Sequence, residues 1–187
     1  MKKTIGIIIA VIVVIIAIFA GTYNSLVSSQ AAVEQKQADI DTQLKRRTDL
    51  IPNLVTVAKS YAAHETEVFD AVNKARENLM GAGTMQEKAA ADDQLTSALG
   101  KLVAIAENYP ELKSDTVYVD LMDELAGTEN RISTARTNYN EAVKDYNTGI
   151  RSFPKNIFAG MFGFEKAEYF TASEADQEPV TVDLENK

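Results

Sequence analysis

The feature that most restricts this chain is an uncharged run from Thr4 to Thr22, made almost wholly of Ile, Val, Ala, Phe and Gly. At about 1.5 Å of rise per residue it reaches roughly 28 Å as a helix, close to the hydrocarbon thickness of a bilayer. Its β-branched residues weaken helix propensity in water. In lipid an unpaired backbone has no solvent to bond, so helix is the form the run must take. The run exceeds the roughly 7–15 apolar residues at the heart of a cleaved signal peptide, and no Ala-x-Ala pattern follows it. The expectation is therefore a retained anchor over residues 1–22. Lys2 and Lys3 precede the run and Lys36 is the first positive charge after it. The positive-inside rule then puts the N-terminus of a single-pass membrane protein in the cytoplasm, with the larger part extracytoplasmic.

Charge and composition narrow the rest. There are 19 Lys+Arg against 27 Asp+Glu, a net charge of −8, and beyond Thr22 the balance is 17 − 27 = −10. Such an acidic chain lacks the basic face of a nucleic-acid binder. The absence of Cys excludes disulfides, thiolate metal sites, a Cys nucleophile and a Cys-linked lipid. With the single histidine His64, neither a zinc-protease motif nor paired Glu-x-x-His ligands can be assembled. No 12-residue Ca²⁺ loop is present, and the pairs Gly81/Gly83 and Gly160/Gly163 do not match phosphate-binding loops. No catalytic residue, metal or cofactor is expected, and the protein reads as a non-enzyme.

Beyond the anchor the pattern is helical. Leu26, Val33, Ile40 and Leu44 form a stripe, with Gln30 and Gln37 in the intervening slots, predicting a first helix continuous with the anchor and ending near Arg47. Pro52 suits the first turn of a second helix. Leu54, Val57, Tyr61, His64, Val68, Ala71 and Ala75 then make a heptad-spaced stripe, which places His64 toward a core. Met80 to Gly83 ends that helix. Thr84 and Glu87 match a capping box for a third, whose apolar face is Leu95, Ala98, Leu99, Leu102, Ile105 and Ala106 up to Asn108-Tyr109-Pro110. Asp115 is a plausible N-cap for a long fourth helix. Its stripe is Val117, Leu121, Leu125, Thr128, Ile132, Ala135, Tyr139, Ala142, Tyr146 and Ile150, ending before Pro154. Four amphipathic segments with short connections predict an all-α up-and-down bundle over residues 23–170. An acidic, aromatic-free tail over residues 171–187 is expected to be disordered.

If the helices alternate in direction from the anchor, the end of the fourth helix and the Met80–Gly83 loop lie near the bilayer. The segment from Ser152 to Phe164 then arrives at lipid. Phe158, Met161, Phe162 and Phe164 are candidate membrane-proximal contacts, resting on the interface or plugging the end of the bundle. Lys45, Arg46 and Arg47 are candidate contacts for an anionic partner, or a helix end whose positive charge complements the dipole. Arg136 and Glu107 are candidates for buried ion pairs. The anchor has no Gly-x-x-x-Gly contact, while Ala89-Ala90-Ala91 could pack on a neighbour, so a homo-oligomer stays open.

Several stretches are more specific than a stripe. Asp39 to Val55, Tyr61-Ala62-Ala63-His64-Glu65, Glu107 to Lys113, Thr128 to Ile132, Ala135-Arg136, Tyr139-Asn140, Tyr146-Asn147 and Phe153-Pro154 through Gly163-Phe164 occur in this order. Together they resemble the bacterial LemA family from about Tyr23 to Phe170, with Gln37 standing where the family often has an aromatic. The resemblance implies a single-pass membrane protein with a long four-helix bundle of bromodomain-like handedness and no established enzymatic activity. Members of that family tend to be encoded near membrane metalloproteases or other membrane proteins, and some belong to membrane-organelle assembly systems. The expected role is a membrane-anchored scaffold or adaptor bound to a membrane or envelope protein, which could be a metalloprotease. The alternative is an extracytoplasmic sensor or an accessory subunit of a membrane protease system.

Overall fold

Helix carries the fold because every long segment places its apolar residues at spacings of three and four. The computed structural model describes residues 2–171. Six helices follow in order: α1 (Lys2–Tyr61), α2 (Thr66–Gly81), α3 (Met85–Ala106), α4 (Pro110–Lys113), α5 (Thr116–Gly149) and α6 (Lys155–Phe162). No strand occurs among the described residues, so the architecture is the expected all-α one. The expected disordered tail, apart from Thr171, lies outside the described residues.

The helices form two compact units, residues 2–39 with 137–168, and residues 40–136 with 169–171. In the second unit the residue pairing fixes the direction of each helix. Asp41 of α1 meets Lys88 of α3 and Arg47 meets Asp92, so α1 and α3 run parallel. Tyr61 meets Asp115, Arg46 meets Glu124 and Gln43 meets Arg131, so α5 runs against α1. Arg76 of α2 reaches Thr48, while Met80 and Ala82 share a surface cavity with Asp41, Leu44 and Lys45, so α2 also runs against α1. The up-and-down order follows. The Met80–Gly83 loop is therefore found beside Asp41 to Thr48.

The first break in the chain also differs from expectation. α1 does not end near Arg47. It continues through Pro52 to Tyr61, and the turn falls at residues 62–65. A proline inside a helix removes the N–H that would bond the carbonyl four residues earlier. Here that carbonyl belongs to Thr48, and Arg76 Nε of α2 donates to it at 2.8 Å. A neighbouring helix thus supplies the missing donor, and the helix passes the proline. The buried stripe of α1 accordingly runs on through Ile51, Leu54, Val55 and Ala58. Because the turn interrupts the phase of the second stripe, Tyr61 and His64 are exposed, while Phe69, Val72, Ala75 and Leu79 are buried.

Other local readings hold. Leu26, Val33, Ile40 and Leu44 are all buried. Thr84 and Glu87 make the reciprocal capping box, Glu87 N–H donating to Thr84 Oγ1 at 3.1 Å and Thr84 N–H to Glu87 Oε2 at 3.0 Å. Asp115 Oδ1 accepts from Tyr118 N–H at 2.9 Å at the start of α5. On α5 the buried face is Tyr118, Leu125, Thr128, Ile132, Ala135, Tyr139, Val143, Tyr146 and Asn147, with Ile150 just past its end, so Tyr118 and Val143 replace the expected Val117 and Ala142. Ala89 and Ala91 are buried in α3 rather than free to pack on a neighbour.

In the first unit the chain after α6 turns back along α5. Gly163 takes the left-handed conformation at φ 73 that favours glycine and ends α6. The strand-like strap that follows is held by side chains. Tyr146 Oη donates to Glu165 O at 2.9 Å and Tyr139 Oη to Glu168 O at 2.8 Å. Asn147 meets both faces of Ala167, donating to its carbonyl and accepting from its N–H at 2.9 Å each.

Replacing Arg76 by Met leaves the half-buried Thr48 carbonyl without a donor, which should destabilise the second unit by about 1–3 kcal/mol. Thermal melting of the full chain in micelles measures it, and an unchanged midpoint would show that the carbonyl needs no partner there.

Candidate functional site

Two clusters of side chains stand out, a buried charge cluster in the second unit and an aromatic foot in the first.

The charge cluster follows from the stripe itself. Carrying Leu26, Val33 and Ile40 forward by one heptad lands on Arg47, and by another on Leu54. Arg47 is only 3 % exposed. Its Nη1 pairs with Asp92, which is 1 % exposed, and lies 2.6 Å from Glu129 Oε2. Nη2 donates to Thr96 Oγ1 at 2.8 Å, and that hydroxyl in turn donates to Asp92 O at 3.0 Å. Arg47 is therefore neither a helix-end charge nor a surface contact. Lys45 and Arg46 are exposed, and they pair with Asp49 at 3.0 Å and with Glu124. The three basic residues read together from the sequence thus divide into one core arginine and two surface cations already matched by carboxylates. The buried pairs foreseen at Arg136 and Glu107 take other forms. Glu107 pairs with Lys113 on the surface at 2.6 Å, and Arg136 lies 4.7 Å from the Phe170 ring centroid.

Burial pushes the Asp92 carboxyl above the ordinary carboxylate range, and the Glu129 charge adds to the rise, while Arg47 and Arg136 pull it back. Nothing in the cluster resembles a nucleophile with a base at its side. Among the described residues no group of three His, Asp or Glu side chains could share a metal ion. The histidine, His64, is exposed.

The aromatic foot is built from the end of the apolar run and α6. Phe158 is buried and packs edge-on against Phe19, ring centroids 4.4 Å apart. Tyr23 contacts Phe162 at 5.0 Å and Phe164 at 6.0 Å. Lys155 Nζ donates to Ser25 Oγ at 2.9 Å. The four residues singled out in the sequence therefore separate. Phe158 faces inward, Phe164 is half-buried, and Met161 and Phe162 are 61 % and 50 % exposed. The sequence reading missed Phe153 and Ile157, which are 82 % and 54 % exposed. The four-residue spacing of 153, 157 and 161 carried that signal.

Removing Arg47 alone, as in Arg47→Leu, strands Asp92 in the core and should cost about 3–5 kcal/mol. The double variant Arg47→Leu/Asp92→Leu should recover most of that loss in a denaturant titration, and no recovery would mean the pair is stabilising in itself. The raised carboxyl also gives a sign. Its folded-state value lies above the ordinary 3.8, so the stability it contributes is complete below that value and lost as pH rises through the folded one. Relative to Asp92→Asn, the natural chain should therefore lose stability from acid toward neutral pH. A relative gain over that range would contradict the assignment.

Residues 36–184 match the LemA family. A magnetosome protein MamQ of Paramagnetospirillum magneticum is 31 % identical, with 90 % of this chain and 72 % of the relative covered. The MamQ of Magnetospirillum gryphiswaldense is 27 % identical over 84 % of this chain and 68 % of its own. The protein LemA of Metamycoplasma hominis is 25 % identical over 90 % and 78 %. The match covers α1 from Lys36 onward, α2 to α6, the buried charge cluster and the strap, and on it the chain belongs to the LemA family.

Proposed function

We propose that this protein is a membrane-tethered helical scaffold or adaptor that holds its bundle beside a bilayer and offers it to another membrane or envelope protein. The observation that carries this reading is the double character of α1. Residues 3–21 are exposed at every position and form part of a helix long and apolar enough to cross a membrane. Further along, the same helix contributes the buried stripe from Leu26 to Ala58. One element thus serves as lipid anchor and as bundle wall. The buried charges are spent on one another, and the cluster offers no acid–base pair for a reaction. The magnetosome names belong to the relatives, and for this chain they support a place at a membrane. They name no protease partner.

The bundle is assigned to the extracytoplasmic side, because Lys2 and Lys3 precede the run and the next positive charge is Lys36. Orientation is set by charges close to the anchor in the chain, so the basic residues of the foot do not weigh against it.

Amine-reactive crosslinking in intact cells tests the scaffold reading through the exposed lysines Lys45, Lys59, Lys74 and Lys101. The expected result is reproducible links from these bundle lysines to one membrane or envelope protein. Links confined to the chain itself under dense crosslinking would contradict it.

A further inference from the structure

We infer that α6 and the turn before it lie in the interface of the bilayer that holds α1, with Phe153, Ile157, Met161 and Phe162 against lipid and Arg151 and Lys155 among anionic headgroups. The inference rests on the anchor reading above and adds a second lipid-binding element to it.

Depth is the argument. Phe19 belongs to the apolar run, and the ring of Phe158 lies 4.4 Å from it. If Phe19 is in hydrocarbon, Phe158 is at the same level. Tyr23, one residue past the run, holds Phe162 and Phe164, and tyrosine is a residue of the membrane–water boundary. Ser25 holds Lys155 at 2.9 Å. Three successive contacts thus dock α6 alongside residues 19–25, where the run meets water. Its outward side chains, Phe153, Ile157, Met161 and Phe162, are 50 % exposed or more, and at that depth the surrounding medium is lipid. An apolar helix face with cations beside it is the pattern of an interfacial helix.

Charge selects the lipid. The chain carries −8 overall, yet from Arg151 to Phe164 there are two cations and no acid. Glu165 and Lys166 follow as a balanced pair. An anionic phospholipid surface complements this patch and repels the acidic remainder.

The absence of Cys makes single spin labels clean. Full-length Ile157→Cys and Met161→Cys are labelled in vesicles of phosphatidylcholine with phosphatidylglycerol, beside Val14→Cys in the run and Ser97→Cys on the exposed face of α3. Labels at 157 and 161 should behave like the label at 14, colliding with oxygen and losing most of their collisions with a water-soluble nickel chelate. The label at 97 should do the reverse. If 157 and 161 follow 97 while 14 stays lipid-like, the inference falls and the anchor reading stands. If the label at 14 also meets the chelate, both fall. Exclusion of 157 and 161 from both reagents would mean a protein covers α6, which also overturns it. In vesicles of phosphatidylcholine alone, exclusion of the chelate should weaken, and an equal effect in both would overturn the headgroup assignment.

Discussion

Among the described residues the apolar side chains of residues 4–21 are exposed, Phe19 alone meeting a ring of α6, and the rest of the molecule is arranged around that fact. Each buried Val, Ile or Phe contributes about 1.5–3 kcal/mol, so the run as a whole gains tens of kcal/mol on leaving water. A small domain is stable by about 5–15 kcal/mol. Entry of the run into lipid therefore outweighs anything the bundle could gain by rearranging to shelter it. Because α1 continues without a break, that placement is passed directly to the bundle wall, and α6 is packed against the point where the run ends.

Within the second unit, two departures from an ideal helix are settled by neighbours. Pro52 leaves the Thr48 carbonyl without its helical donor, and Arg76 fills the vacancy. Arg47 stands in the apolar stripe, and Asp92 stands in the facing stripe of α3 between Ala89 and Leu95. Neither charge would tolerate burial alone. Each compensation comes from a different helix, so both devices link the register of α1 to that of α2 or α3.

The sequence made the fold class legible because long amphipathic stripes with few breakers have only one economical packing. The capping box at Thr84 and Glu87 and the Asp115 cap were readable because each needs only residues within three positions of one another. The first turn was hidden for the opposite reason. Residues 62–65 contain neither Gly nor Pro, while Pro52, which looks like a helix start, is rescued by an arginine 24 positions away that no local pattern reveals. The buried arginine was readable from heptad spacing but masked by its neighbours Lys45 and Arg46, which do face water. In the foot, the aromatic content of residues 153–164 was evident. Which side chains face in depended on where Phe19 and Tyr23 would meet them, a matter of tertiary structure. Tyr139, Tyr146 and Asn147 looked like members of a stripe or a polar face, and their work in holding residues 165–168 emerged only with the strap in place.

The most direct test of the account is alkaline carbonate washing of membranes from cells that express the chain, followed by intact mass of the retained protein. The account predicts that the chain stays in the pellet with the mass of a polypeptide that includes residues 4–22. Release into the wash, or a mature chain that starts beyond Gly21, would contradict it.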